Sequence, residues 1–402
     1  MIPRRRVPIR AADFREWLRA SCGSPERDRA SVAEFESRFA AYLGVPCALA
    51  TASGRDAMLL ALESMGLHRE DEILVSAYTL GELMPLLRSR GYRPVPVDVD
   101  PETFNMDSGA IERRIGPRTR AVMATHILGA PCDMAAVCEV ADRRSLLVLE
   151  DCAHALGAAV GERKVGTLGH AAIFSFEPTK AVPTYGGGML VTRDREIADR
   201  ARRKLSDRPA SRGPVLRKAL RVWAEEAVVR SPFYAILNRI LLSERMAAVF
   251  ERSYRGAHDR ERRVVAYTAF QARLGLARLA ELDARNERCN SMLRDLVQRL
   301  PCGLLPQVRD RCGHPAFYNC VVRSDRFSPE SLRRRLRTAG IDIGIRTEVM
   351  DNCGPMLGYA DCRNAENLVA QHVLFPVYEG LGQKDFGRIV GALQGLDASV
   401  MG

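Results

Sequence analysis

The chain has 402 residues, 47% hydrophobic and 27% charged, a balance typical of soluble globular proteins and sufficient for one large domain with a smaller companion. A net charge of +11 raises nucleic acid as a partner, but the arginines are scattered through helix-like stretches with no helix-turn-helix signature, zinc spacing or aromatic RNA-binding motif, so no nucleic-acid role is expected. Eleven cysteines without a C-x-x-C pair argue against a disulfide framework, and no apolar run is long enough to span a bilayer; a cytoplasmic protein without a transmembrane segment is the expectation.

Residues 1–30 read as a basic N-terminal arm. Residues 31–43 place Val32, Phe35, Phe39 and Leu43 at helical spacing, with Ser31 as N-cap and Gly44 as the stop. Alternation follows: strand "CALAT", helix "RDAMLLALESMG", strand "EILVSA", helix "LGELMPLLRSRG", strand "PVPVDVD", helix "DSGAIERRIG" and strand "AVMATHI". Helix "AAVCEVADRR", buried strand "SLLVLED" and the paired strands "AAIFSF" and "GGMLVT" continue it. Such a pattern predicts an α/β fold with a mostly parallel sheet covered by helices on both faces, over a large domain of residues 31–205. Residues 206–260 lose the strands and read as a basic helical insertion or interdomain segment. Trp223, Phe233 and nearby arginines allow a membrane-surface helix, but packing on the body or a partner subunit is the simpler expectation. Residues 261–402 begin with one long helix ("AFQARLGLARLAELDARNERCNSMLRDLVQRL") and form a smaller α+β domain ending in helix "KDFGRIVGALQGL".

In parallel sheets of this kind ligands gather at the carboxyl ends of strands, and three groups stand there. In "ATASGRDAM" a strand turns through Ser53 and Gly54 into a helix, whose amide groups and dipole suit a phosphate; Arg55 adds a permanent charge. A purely structural strand-to-helix turn has the same appearance. In "LLVLEDCAHALGA" an apolar strand delivers Asp151, followed three residues on by His154. A carboxylate there can keep a ring nitrogen protonated, while Asp151 as a helix cap and His154 as a core histidine are the plain alternatives. In "IFSFEPTKAVPTYGGGMLV", Ser175 and Lys180 precede a glycine triplet, in a chain whose sixty basic residues include only five lysines (164, 180, 204, 218 and 384). The other four are expected at the surface. A buried lysine amine is a nucleophile toward carbonyls, and the glycines near it are expected to leave room for a flat ring.

The order of these groups resembles the fold type I pyridoxal phosphate enzymes and, more narrowly, the DegT-type family of nucleotide-sugar aminotransferases. The resemblance runs through "SGRDA", "VPVDVDPETFNMD", "RTRAVMATHILGAPCDM", "VLEDCAHALGA", "VGTLGHAAIFSFEPTK" and "GGGMLVT", covering residues 30–200 well and the remainder loosely. It implies an aspartate-aminotransferase-like fold and a homodimer with pockets built at the subunit interface. It further implies that Lys180 holds pyridoxal 5'-phosphate as a Schiff base, Asp151 pairs with the pyridine nitrogen, His154 lies near the ring hydroxyl, and Ser175, Ser53, Gly54 and Arg55 hold the phosphate. The implied reaction is ping-pong transfer of an amino group from L-glutamate to a keto-sugar on a nucleoside diphosphate. Relatives that dehydrate sugars carry histidine at the position of Lys180.

Four positions depart from the family pattern. Arg55 stands where most relatives have threonine. The stacking aromatic falls on Leu80, with Tyr78 as an alternative ring contact. The segment before Gln271-Ala272 lacks the asparagine that relatives lend to the neighbouring subunit's phosphate, and Arg55 is expected to compensate. Glu348 replaces an expected sugar-side histidine, which admits another acceptor, such as a cyclitol, and Leu80 with the missing asparagine admits a catalytically retired binding homologue.

Overall fold

The computed structural model describes all residues except 23–24, 210, 232–233, 235–264 and 399–402, and the side chains except also 25–28 and 397–398. Its first half contains strands β1 (Cys47–Thr51), β2 (Glu72–Ser76), β3 (Tyr78–Thr79), β4 (Arg93–Val97), β5 (Thr119–Thr125), β6 (Leu147–Asp151), β7 (Ala159–Val160), β8 (Arg163–Lys164), β9 (Ala171–Ser175) and β10 (Gly188–Thr192). Seven of these form one sheet in the order β1-β10-β9-β6-β5-β2-β4. Strands β4, β2, β5, β6 and β9 run parallel, and β10 alone is reversed between β9 and β1. That arrangement brings the carboxyl ends of β1, β6 and β9 and the amino end of β10 to a single edge.

Helices α1 (Ala11–Cys22), α2 (Pro25–Leu43), α3 (Gly54–Ser64), α4 (Leu83–Ser89), α5 (Ser108–Ile111), α6 (Met134–Arg144), α7 (Arg195–Ser206) and α8 (Gly213–Arg230) surround it. Alternate residues of each strand face opposite layers. Ile173 and Leu149 join Met58, Leu60 and Met84 of α3 and α4 on one face. Phe174 and Met189 meet Phe35 and Phe39 of α2 on the other, where Phe39 packs edge-on against Phe174 at 5.1 Å. Each such phenylalanine contributes roughly 1.5–3 kcal/mol by burial.

Three expectations need correction. Ser31 lies inside α2 and caps nothing at its start, because the helix begins six residues earlier. The basic arm also contains α1, whose Phe14 and Trp17 stack beside Trp223 of α8. The single long helix is two, α9 (Ala269–Ala280) and α10 (Leu282–Val297), broken at Glu281 where φ is −104° and ψ is 0°.

A second sheet, in the order β11-β12-β15-β13, is built from β11 (Leu304–Pro306), β12 (Cys320–Ser324), β13 (Gly344–Ile345) and β15 (His372–Phe375). Strand β14 (Asp351–Asn352) pairs instead with β3 in a separate two-stranded sheet, and so stitches this part to the segment that follows β2. Helix α8 buries Val215, Ala219 and Val222 against the body, in keeping with the packing expectation; Phe233 lies outside the described residues. No helix among the described residues is long and apolar enough to cross a membrane, and all eleven cysteines are free.

Candidate active site

Ser53 is extended (φ −166°, ψ 166°) and its hydroxyl accepts the Asp56 amide at 3.1 Å, capping α3. A Cβ placed on Gly54 would stand 2.9 Å from Ser175 Cβ and 3.2 Å from its Oγ. Glycine is therefore required at 54 for the end of β9 to lie against the start of α3, and the structure brings Ser53, Gly54 and Ser175 into one cradle. The Arg55 guanidinium, on the first turn of α3, is paired with Glu82.

Asp151 ends β6 and is 6% exposed. One carboxylate oxygen accepts the Ala153 amide at 3.0 Å; the other takes no hydrogen bond among the described residues. Burial holds this carboxyl above the ordinary aspartate range, against the Ala153 amide and the Lys180 charge, which pull it down. Its neighbour Glu150 points to the opposite face and is spent on bracing: it accepts Leu168 and Gly169 amides at 2.7 Å, the Gly166 amide at 2.8 Å and His126 at 3.1 Å.

Lys180 is 9% exposed and its Nζ donates to the Tyr318 hydroxyl at 3.1 Å. The Tyr318 ring in turn stacks on His154, with centroids 4.0 Å apart and planes 11° from parallel. His154 Nδ1 is buried without a hydrogen-bond partner among the described residues. Burial, then the charges of Lys180 and Arg5, hold the imidazole well below its ordinary range and hence neutral. Burial alone would raise the Tyr318 phenol, but Lys180 and Arg5 overcome it and bring the group below 10.0. Tyr318 and Arg5 were not legible as site residues; the only signal for Tyr318 was its place just before β12, and "RRR" at 4–6 gave none.

The loop carrying Lys180 is closed by the Phe176 carbonyl, which accepts amides from Thr184 at 2.9 Å and Gly186 at 3.2 Å. Lys218 grips Glu177 in that loop at 2.6 Å, so it is not the solvated surface lysine expected. Tyr185, at φ 60°, donates to Asp13 at 2.7 Å, and Asp13 also holds Arg278 at 2.6 Å. Two glycines of the triplet do not open space for a ring. A Cβ on Gly187 would meet Tyr267 at 2.3 Å, and one on Gly188 would meet Gly54 N at 2.7 Å, so protein fills both positions.

Tyr78 and Leu80 do not share a face. Tyr78 is fully buried beside Phe104, its hydroxyl bonded to His372 Nδ1 at 2.6 Å, whereas Leu80 is exposed. Tyr78 is therefore a core residue, and the alternative ring contact expected of it is corrected: its ring and hydroxyl are both committed elsewhere. Glu348 is locked by Arg4, Arg333 and the Ile345 amide. Of the segment before Gln271, residues 262–264 lie outside the described residues.

Residues 19–225 match the DegT/DnrJ/EryC1/StrS aminotransferase family. GDP-perosamine synthase of Caulobacter vibrioides is 43% identical over 171 residues, 42% of this chain and 46% of that protein, so the match spans about half its length. Spore coat polysaccharide biosynthesis protein SpsC of Bacillus subtilis is 31% identical over 374 residues, 90% of this chain and 88% of that protein. Among solved structures, S. venezuelae DesV in complex with a ketimine intermediate superposes with a TM-score of 0.74 at 26% identity, covering 98% of both chains.

Proposed function

Because the chain belongs to the DegT/DnrJ/EryC1/StrS aminotransferase family and has the fold type I architecture, we propose that it is a pyridoxal phosphate-dependent aminotransferase passing an amino group from L-glutamate to a nucleotide-linked keto-sugar. The observation that carries this reading is the convergence on one sheet edge of a buried lysine, a buried carboxyl without an ion pair among the described residues and a serine-lined cradle at a helix N-terminus.

These residues fit the cofactor. The close approach of Ser175 to Gly54 sets its hydroxyl beside the Gly54 and Arg55 amides at the start of α3, a donor set that suits a phosphate. The free oxygen of Asp151 suits a protonated ring nitrogen, a pairing that would relieve the burial now raising its pKa. The orphaned His154 Nδ1 gains a partner if the cofactor's ring hydroxyl faces it. Lys180 is the group that would bind the aldehyde. When bound, pyridoxal phosphate supplies an electron sink for the carbon that carries the transferring nitrogen.

Around that chemistry the chain's own residues do three things. Lys180 Nζ would hold and move a proton at the reacting carbon, with Tyr318 as the partner that steadies it. Asp151 holds charge on the ring's far side. The loop pinned by Tyr185 and Glu177 keeps Lys180 under cover from water. Donor and acceptor use the one site in turn, which is the basis for a ping-pong sequence in a cytoplasmic homodimer. A non-nucleotide ketone such as a cyclitol is the second reading, favoured by the pairing of Glu348 with Arg4 and Arg333.

The test is spectroscopic. Protein loaded with pyridoxal phosphate should be yellow, bleach with L-glutamate and regain colour with a nucleotide-linked keto-sugar; Lys180→Ala should never acquire the colour. A loaded protein indifferent to every amino donor would overturn the reading, and colour restored by cyclitol ketones alone would transfer it to the second acceptor class.

A further inference from the structure

The first residues run extended beside the second sheet. Ile2 N–H donates to Gly340 O at 2.7 Å, and Ile2 O accepts from Asp342 N at 2.9 Å. Three arginines follow, and they meet different surroundings. Arg4 pairs with Glu348 and, at 3.7 Å, with Asp342; Arg6 pairs with Glu226 at 3.0 Å. Arg5, between them, has no carboxylate within ion-pair distance among the described residues, and its Nε is buried with no hydrogen-bond partner. Its charge acts instead on His154 and Tyr318, the stacked pair that lies against Lys180.

A guanidinium partly removed from water and left without an anion is a costly arrangement, and its planar fork of donors matches a carboxylate. We propose that Arg5 binds the α-carboxylate of the amino-acid donor, so that the N-terminal segment supplies the donor-recognition group of the site. The argument for a carboxylate rather than a nucleotide diphosphate is one of reach. The α-carboxylate is bonded to the same carbon as the transferring nitrogen, and so must lie close to Lys180, by the His154–Tyr318 pair on which the Arg5 charge acts. A diphosphate is separated from the ketone carbon by several atoms of the sugar ring. The inference rests on the proposed function in taking an amino acid as donor, and it adds the residue that recognises it.

The probe is 2-methyl-L-glutamate, which carries the carboxylates but has no α-hydrogen to lose, titrated into the cofactor-loaded protein and followed by the change in visible spectrum. Isopropylamine, an amine without a carboxylate, is the control. Arg5→Met should raise the half-saturating 2-methyl-L-glutamate concentration at least about ten-fold, the scale of one charge-assisted pair. Arg5→Lys should recover part of the loss, with cofactor colour unchanged in both variants. Isopropylamine should saturate wild type and Arg5→Met alike. Equal saturation by 2-methyl-L-glutamate in both proteins, an equal loss with isopropylamine, or no spectral response of the wild type would overturn the assignment. A carboxylate effect of Arg5 in a protein that aminates no acceptor would leave the assignment standing and sink the aminotransferase reading instead.

Discussion

Lys180 Nζ and the Tyr318 hydroxyl lie 3.1 Å apart although 138 residues separate them in the chain. The lysine comes from the loop between β9 and β10 of the large sheet, and the tyrosine from the approach to β12 of the second sheet. The ring of Tyr318 is fixed from behind by His154, so the hydroxyl has little freedom to leave the lysine.

Tyr318→Phe keeps the stacked ring and removes the hydroxyl alone. Cofactor colour should be retained, while the single-turnover rate with L-glutamate falls about ten- to hundred-fold, the range for loss of one proton-handling group. Stopped-flow measurement across pH checks it. The limb of the wild-type profile due to the phenol, lying below the ordinary tyrosine value of 10.0, should vanish in the variant.

Lys180→Ala and Asp151→Asn should fail differently. The first removes the nucleophile and should reduce turnover by about four orders of magnitude with an unaltered unfolding transition. The second leaves an amide that cannot keep the ring nitrogen protonated. It should still colour, but weaken cofactor retention and lower turnover at least about a hundred-fold. Equilibrium dialysis of the cofactor and steady-state assays separate the two.

Gly54→Ala sets a methyl group 2.9 Å from Ser175 Cβ. The overlap should cost about 1–3 kcal/mol in urea unfolding and weaken cofactor binding. Adding Ser175→Gly removes the nearest atoms, leaving Ser175 Cα at 3.4 Å, so stability should return while cofactor affinity does not, because the hydroxyl has gone with them. Recovery of both would mean that Ser175 contributes nothing to the phosphate.

His372 is buried between the Tyr78 hydroxyl and the Arg346 carbonyl, and burial lowers its pKa from 6.5 to about 4. The folded state thus prefers the neutral ring. Its contribution is whole above pH 6.5 and is lost as pH falls toward about 4, by ~1.4 kcal/mol per pH unit and roughly 3 kcal/mol in all. Urea unfolding across that window should show this slope in the wild type and a flatter one in His372→Gln.

The central sheet was readable because each strand is an apolar run of four to seven residues closed by a turn signal, and this also exposed Asp151, Ser175 and Lys180 as polar residues at strand ends. What escaped was set by contacts between distant segments. Tyr318 and Arg5 carry no periodicity of their own and acquire a role only when the second sheet and the N-terminal segment close over the lysine. The reading of Tyr78 needs an extended chain through Leu80, but β3 ends at Thr79 and Tyr78 points into the core, toward His372. The break at Glu281 has neither glycine nor proline to announce it, and the basic charge of residues 1–30 hides α1 despite Phe14, Trp17 and Leu18 at helical spacing. The glycine triplet was legible as special, yet its partners, Tyr267 and Gly54, were not.

The path of residues 2–13 has a practical corollary. That thread is tied to Gly340 at its beginning, to Glu226 of α8 in its middle and to Tyr185 of the lysine loop at its end. A protease that severs it once, at one of its half-buried arginine bonds, would leave the central sheet whole and yet uncouple these attachments from one another. Digestion should therefore silence the protein well before its helical signal declines.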